Sequence, residues 1–408
     1  MPKKKVVIIG GGPAGIMAAI AASEKNNEVI VIEKNSVIGK KLSITGGGRC
    51  NVTNNSDPSD IMKNIMTNPK FLYRALNTFT SKDLIDIIER NGCPLKIEDK
   101  NRVFPLSDKS SDIIDVFNKI IRERQIKLYL ECDVKDIILS NEKVKAVKTV
   151  NDNIINCDSV ILATGGISYP HTGSTGTGHI IAKKLGHSII SLRPSLVSMN
   201  IKEKWLSNLM GISFEDIIIR TKIGKKSLSL NGDLLFTHYG ISGPIVLELS
   251  AYLNKHDFLK ASHNINIDFL PKLNYEDLKR IFISDANSNK TILNLLSEYM
   301  PKRFLIGLLA ELNILQDTIL HQLKKSDRNR IIDNIKNFDI NIVSLRDINS
   351  AIITSGGISV KEIDPGTMES KKIKGLFFAG EIIDVDALTG GYNLQIAFST
   401  GYLAGLNA

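Results

Sequence analysis

Gly10, Gly12 and Gly15 stand at the spacing G-x-G-x-x-G, with Pro13 and Ala14 between the last two. In such a run the first glycine permits a tight turn after a strand, the second lets the backbone approach a pyrophosphate, and the third allows close helix-to-strand packing. The phosphates then lie on the helix N-terminus, where unpaired backbone N–H groups face them. The pattern carries weight only between a strand and a helix, and the apolar run Val6–Ile9 and the small, apolar run Ile16–Ser23 supply both. Glu33 ends the next apolar run, which starts at Glu28. A carboxylate there accepts a hydrogen bond from a ribose 2′-hydroxyl and repels a 2′-phosphate, so the expected ligand has an unphosphorylated ADP half, as in FAD or NAD.

A second set of such residues lies near the other end of the chain. Leu376–Ala379 reads as a buried strand that delivers Gly380 and Glu381 at its C-terminal end. An extended ligand, FAD, accounts for two carboxylates so far apart, with Glu33 on the adenosine side and Glu381 on the ribityl hydroxyls. Gly390-Gly391-Tyr392-Asn393-Leu394-Gln395 opens a helix whose first amides suit the flavin N1 and O2 edge, where negative charge develops on reduction. The most distinctive segment is Gly39–Asn51, in which Gly46, Gly47 and Gly48 strip β-carbons from one wall and Lys40, Lys41 and Arg49 supply positive charge. Leu42, Cys50 and Asn51 in this segment, Lys34 after Glu33, Val134, and the strand end Ala163-Thr164-Gly165 complete the candidate cofactor-binding positions. Cys50 reads as a packed thiol. With Cys93, Cys132 and Cys157 it forms no CxxC pair, so neither structural disulfides nor a metal site are expected.

The elements that must position these residues fall into three textures. α/β alternation runs to Pro194, with helical patterns at Phe71–Asn91 and Asp112–Gln125 and a buried strand at Val160–Thr164. Short β-like runs follow at Leu196–Ile201, Asp216–Ile223, Ser227–Phe236 and Asn264–Phe269, suggesting a small antiparallel unit. A helical period runs from Tyr275 to about Asp347, as in Thr291–Tyr299, Phe304–Leu312 and Thr318–Leu323, before the α/β texture resumes at Ile352 and ends on a helix at Tyr392–Leu403. The expected division is 1–193 for the first part of the cofactor domain, 194–274 for a β insert, 275–335 for a helical insert, 336–347 for the return of the insert, and 348–408 for completion of the first domain.

Composition agrees with an ordinary globular chain: 43% of the 408 residues are hydrophobic and 23% charged, which excludes disordered and collagen-like classes. Lys3, Lys4 and Lys5 precede an apolar run that Gly10–Pro13 interrupts, so neither a signal peptide nor a membrane span is read, and a cytoplasmic protein without membrane association is expected. The net charge of +9 is spread over a lysine-rich surface. The basic stretch Arg220–Lys226 has no interleaved aromatics, so nucleic acid is not expected as a partner.

Gly39–Asn54, Ala163–Gly166, Gly173–Gly176, Phe236-Thr237-His238-Tyr239-Gly240-Ile241-Ser242-Gly243-Pro244, Thr354–Gly357 and Gly380–Gln395 together resemble the bacterial HI0933-like (BaiN-like) flavoproteins, NAD(P)/FAD-dependent oxidoreductases also labelled aminoacetone-oxidase-like. The resemblance implies an α/β fold: a Rossmann-like FAD domain of the two-dinucleotide-binding-domain type, interrupted by a β-barrel-like domain with a helical insert. Thr177 departs from the pattern, since related loops carry Asp there. The expected activity is electron transfer between non-covalent FAD and a small organic substrate. NAD(P)H is the expected transient donor, docking without a Rossmann unit of its own. The alternatives are an oxidase that passes electrons to oxygen from a small amine or ketone, and, from a different class, an RNA-binding or RNA-modifying flavoprotein. His238 and His171 are the candidate proton-transfer residues, because histidine titrates near neutral pH.

Overall fold

The computed structural model describes residues 3–284 and 289–408. The chain divides into two compact units, Met1–Ser195 with Ile348–Ala408, and Leu196–Asp347. The first unit opens with β1 (Lys5–Ile9), α1 (Pro13–Ser23) and β2 (Glu28–Ile32). Both strands are continuous Val/Ile runs buried on both faces, as parallel strands covered by helices are. α1 is buried around most of its circumference and is built of Ala, Gly, Ile and Met, small enough for neighbours to approach closely. There follow α2 (Ser110–Glu123), the short strand β3 (Lys127–Tyr129), a three-stranded antiparallel meander over residues 134–156 that sequence pattern alone did not reveal, β4 (Ser159–Leu162) and α3 (Thr177–Lys184).

The second unit is a closed barrel carrying helices. Its strands are β5 (Met199–Ile201), β6 (Ser213–Ile223), β7 (Lys226–Thr237), β8 (Gly240–Ser242), then, after α4 (Pro244–Leu253), β9 (His263–Asp268) and, after α5 (Lys302–Glu311) and α6 (Lys325–Lys336), β10 (Phe338–Leu345). They close in the order β5-β8-β7-β6-β9-β10 and back to β5. Three sequence expectations change here. Residues 338–345 are a strand and not helix, with Phe338, Ile340 and Ile342 buried at period two. Thr318–Leu323 contains only a single 3-10 turn, Leu320–Gln322. The first barrel strand begins at Met199 and not at Leu196, where the chain turns at a left-handed φ of +55°. The core of this unit centres on Phe304, which is fully buried, with the rings of Phe214 at 5.0 Å and Phe269 at 4.8 Å.

The chain then returns to the first unit with β11 (Leu376–Phe378) and α7 (Tyr392–Asn407). β11 pairs in parallel with β4, giving the five-stranded sheet β11-β4-β1-β2-β3. All five strands point the same way, so the turn after β1, Glu33 after β2, the loop after β4 and Gly380-Glu381 after β11 share one edge of the sheet, the edge where open α/β sheets bind ligands. α7 packs along α1 through Gly401 and Gly405: added β-carbons would fall 2.1 Å from Ala14 O and 2.2 Å from Ala18 O. Among the described residues no helix is long and apolar enough to cross a membrane, and no group of three or more His, Cys, Asp or Glu could hold a metal.

Candidate functional site

The glycine turn after β1 is fixed sterically. Gly10 has φ +106°, and a β-carbon there would lie 2.5 Å from Ala163 O, while one on Gly15 would lie 1.8 Å from Gly10 O. A β-carbon on Gly12 would meet nothing within 4 Å, so this glycine borders open space. The first turn of α1 holds no acidic residue, and Gly12 caps it without a side chain, which leaves its N-terminal amides to an external anion. Pro13 starts the helix where a missing N–H costs nothing. Glu33 is buried beside this turn. Its Oε2 accepts from Gly11 N at 2.7 Å and its Oε1 from Asn35 N at 2.8 Å and Asn35 Nδ2 at 2.7 Å. A carboxylate has about four acceptor positions, so Oε2 can still receive a hydroxyl.

The loop after β4 lies over this turn. Asn35 Nδ2 also donates to Thr172 O at 3.0 Å, Lys34 Nζ donates to Thr175 Oγ1 at 2.7 Å, and Lys40 Nζ donates to Asn35 Oδ1 at 3.2 Å. Asn35 was not foreseen, and its position two residues after Glu33 was the available signal. Thr177 opens α3, and its hydroxyl lies 3.1 Å from Thr175 Oγ1. Thr164 Oγ1 is buried without a partner, 2.0 Å from where a β-carbon on Gly178 would sit. Gly165 carries the chain away from β4 at φ +73°, and Ala163 is buried.

The segment 39–54 is joined to the start of α7. With its amide oriented to suit its neighbours, Asn51 accepts from Gly391 N at 3.0 Å and donates to Thr53 O at 3.0 Å. Asn54 Nδ2 donates to Gly390 O at 2.9 Å, and Thr53 Oγ1 donates to the buried Gln395 Oε1 at 2.6 Å. Gln395 Nε2 donates in turn to Phe79 O and Ser399 Oγ, and Asn393 clasps Ala387 through both its amide atoms. These two amides build the site rather than face into it. Leu394 packs half-buried against the unit's core, Leu42 is fully buried, and Val134 is buried in the meander. Gly47 and Gly48 have left-handed φ values of +68° and +87°, and open space lies where β-carbons would be.

Two expectations about charge are revised. Arg49 pairs with both Glu98 and Asp108 and lies 4.2 Å over the Phe104 ring, so its charge is neutralised within the protein. Lys41 and Glu381 pair with each other at 2.8 Å. Lys41 Nζ also donates to Ser168 Oγ at 2.7 Å, and Glu381 Oε1 accepts from Thr354 N at 2.7 Å. Burial pushes the Glu381 carboxyl up, but Lys41 and these donors outweigh it and hold the group below the ordinary carboxylate value. Gly380, at φ +77°, brings this strand end against Ala14 of the glycine turn, since a β-carbon there would lie 2.7 Å from Ala14 Cβ. Cys50 is buried at φ +60°, and desolvation pushes its thiol up to about 12, the behaviour of a packed group and not a thiolate.

His171 is exposed, edge-on to Tyr169, in the loop after β4. His238 lies in the second unit, exposed on the turn between β7 and β8, with its ring 4.8 Å from Tyr239, over which the Arg346 guanidinium sits at 4.4 Å.

Against this geometry the comparisons with known proteins are decisive for the family: the model of the HI0933-like protein Rossmann domain matches residues 4–407. The chain belongs to the HI0933-like family of FAD-binding oxidoreductases. It is 33% identical over 376 residues to the ribosomal RNA dihydrouridine synthase of Haemophilus influenzae, covering 91% of this chain and 90% of that protein. Identity to the Escherichia coli protein of the same name is 28% over 378 residues, covering 91% and 89%. The 3-dehydro-bile acid delta(4,6)-reductase of Clostridium scindens is 30% identical over 377 residues, covering 92% and 91%. The first two relatives overturn the expectation that nucleic acid is no partner for such a chain. The absence of aromatics from Arg220–Lys226 was too narrow a ground, because contacts to phosphates need none.

Proposed function

We propose that this FAD-dependent oxidoreductase reduces a carbon–carbon double bond conjugated to a carbonyl, and that its substrate is a uracil base in ribosomal RNA. The observation that carries the reading is likeness over nine-tenths of the chain to two proteins named for that product. Dihydrouridine is uridine whose C5–C6 bond has gained two hydrogens, and that bond is conjugated to the C4 carbonyl. A delta(4,6) 3-oxo steroid presents the same chemistry, so the likeness to the Clostridium protein supports the same reaction type on a different ring.

The residues at the sheet edge fit non-covalent FAD. The space beside Gly12, the uncapped start of α1 and the remaining acceptor position on Glu33 suit pyrophosphate and adenosine ribose. The Lys41–Glu381 pair and the amides that open α7 suit the other half. When bound, the reduced flavin supplies a hydride to the ring carbon β to the carbonyl. The protein must then deliver a proton to the α carbon. His238 is the proposed donor: its imidazole is exposed on the turn between β7 and β8. NAD(P)H is the proposed source of electrons.

The test is anaerobic reduction of the yellow protein with NADH or NADPH, followed by ribosomal RNA, with nucleoside mass spectrometry for uridine bearing two added hydrogens. Flavin that is reoxidised by a 4,6-dien-3-one and never by RNA would move the reading to a steroid-type substrate. His238→Gln is expected to keep FAD and its reduction by NAD(P)H while losing about 100-fold in RNA reduction. Wild-type turnover in that variant would return the role to His171 or water.

A further inference from the structure

We infer that the free end of the β6–β7 hairpin grips the sugar–phosphate backbone of RNA through Lys222, Lys225 and Lys226. The inference rests on the proposed RNA substrate and adds the element that holds it. β6 and β7 are 11 and 12 residues long. Pairing of β6 with β9 covers only Ile218–Arg220, and pairing of β7 with β8 covers only Leu235–Thr237. Thr221 Oγ1 still donates to Asn264 O of β9 at 2.8 Å, and beyond it Lys222–Ser227 runs on as a two-stranded finger closed by the two-residue turn Gly224-Lys225, with Gly224 at φ +59°.

The finger is two-faced. Ile223 and Leu228 are half-buried against the core of the second unit, which anchors it. On the opposite face the register sets Lys222 beside Ser227 and Arg220 beside Ser229, while Lys226 is opposite Ile223 on the anchored face and Lys225 lies in the turn. Lys222, Lys225, Lys226, Ser227 and Ser229 are exposed. Arg220 is committed to the buried Asp268, which Lys336 also pairs at 2.9 Å. Among the described residues, the three lysines have no acidic partner within 4.0 Å. The sequence contains no Asp or Glu from Ile217 to Gly232. A hairpin tip that concentrates exposed cations and hydroxyls and excludes carboxylates is organised for a polyanion whose oxygens accept hydrogen bonds. Edge lysines also discourage strand-to-strand aggregation. These lysines cluster beside the turn, beyond the residues that β9 and β8 pair.

Lys222→Gln/Lys225→Gln/Lys226→Gln, made in the full-length FAD-loaded protein, should bind a ribosomal RNA transcript about 10–100-fold more weakly at low salt. The dependence of log K on log salt should fall by about 2, roughly 0.7 for each lost phosphate contact. FAD content and the rate of flavin reduction by NAD(P)H should be unchanged, and Lys→Arg at all three positions should restore binding. Equal affinity and salt slope for the Gln variant and wild type would overturn the finger alone. Loss of binding to phosphatidylserine vesicles with RNA binding unchanged would assign the finger to a membrane surface and overturn it too. A wild-type protein that binds no RNA at any salt would sink the RNA substrate first, and this inference with it.

Discussion

Glu381 shows how single residues are balanced in this protein. Its carboxyl is removed from most solvent, yet it stays ionised because Lys41, Thr354 N and Ser168 answer its charge. Lys41→Met would leave that charge unanswered, and stability should fall by about 2 kcal/mol, less than the ~3–5 kcal/mol of a fully buried pair because both side chains keep some water contact. Glu381→Gln in the same chain should recover most of the loss, and urea midpoints of the single and double variants check this. At His179 and His187 burial prevails, and the neutral form is the one favoured. Burial holds both below the ordinary histidine value, with His179 Nε2 on Ile382 O and His187 Nε2 on Ser370 Oγ. Between the lowered folded value and about 6.5, only the unfolded chain binds the proton, so their contribution is whole above about pH 6.5 and lost as pH falls toward the folded value. Urea midpoints should therefore drop between about pH 7.5 and pH 5.5, and the double variant His179→Gln/His187→Gln should show a smaller drop.

At the scale of elements, the contact of α7 on α1 fixes where the glycine turn sits. Gly401 faces Ala14 O and Gly405 faces Ala18 O, closer than any β-carbon tolerates. Gly401→Ala must push the helices apart, at a cost of about 1–3 kcal/mol, and the displacement falls on the first turn of α1. A lower thermal midpoint together with weaker FAD retention on gel filtration is expected, and loss of the first without the second would detach this packing from the cofactor. Such a contact was beyond sequence reading, since Gly401 and Gly405 sit in a helical run with no local sign of what they meet. The glycine turn was legible because spacing, strand and helix all lie within a few residues of one another. β10 was missed because α6 ends at Lys336 and the strand starts at Phe338, so one window mixes both periods. The convergence of segments 39–54, 163–177 and 380–395 was legible as a set of motifs. Their bonds to one another, such as Asn54 to Gly390, were not. Arg49 misled for the same reason: Glu98 and Asp108, which neutralise it, arrive from residues no local pattern connects.

At the scale of the whole molecule, each unit has a hydrophobic core of its own, and the chain passes between the units only at 195–196 and 347–348. Ser195 and Ile353 are paired partners in the antiparallel strands 189–195 and 353–358 of the first unit, so the two ends left by removing Leu196–Asp347 lie within a few residues of each other. A short Gly-Ser linker closes that gap at small entropic cost. The first unit also holds every residue proposed to contact FAD, whereas His238 and the β6–β7 finger belong to the second. Replacing 196–347 by such a linker should therefore give a folded yellow protein that binds FAD and no longer reduces RNA. Flavin absorbance after gel filtration and near-UV circular dichroism read the first outcome, and nucleoside mass spectrometry reads the second. A colourless but folded product would mean that the second unit supplies part of the cofactor site. Reduction of RNA by the shortened protein would remove both His238 and the lysine finger from the reaction.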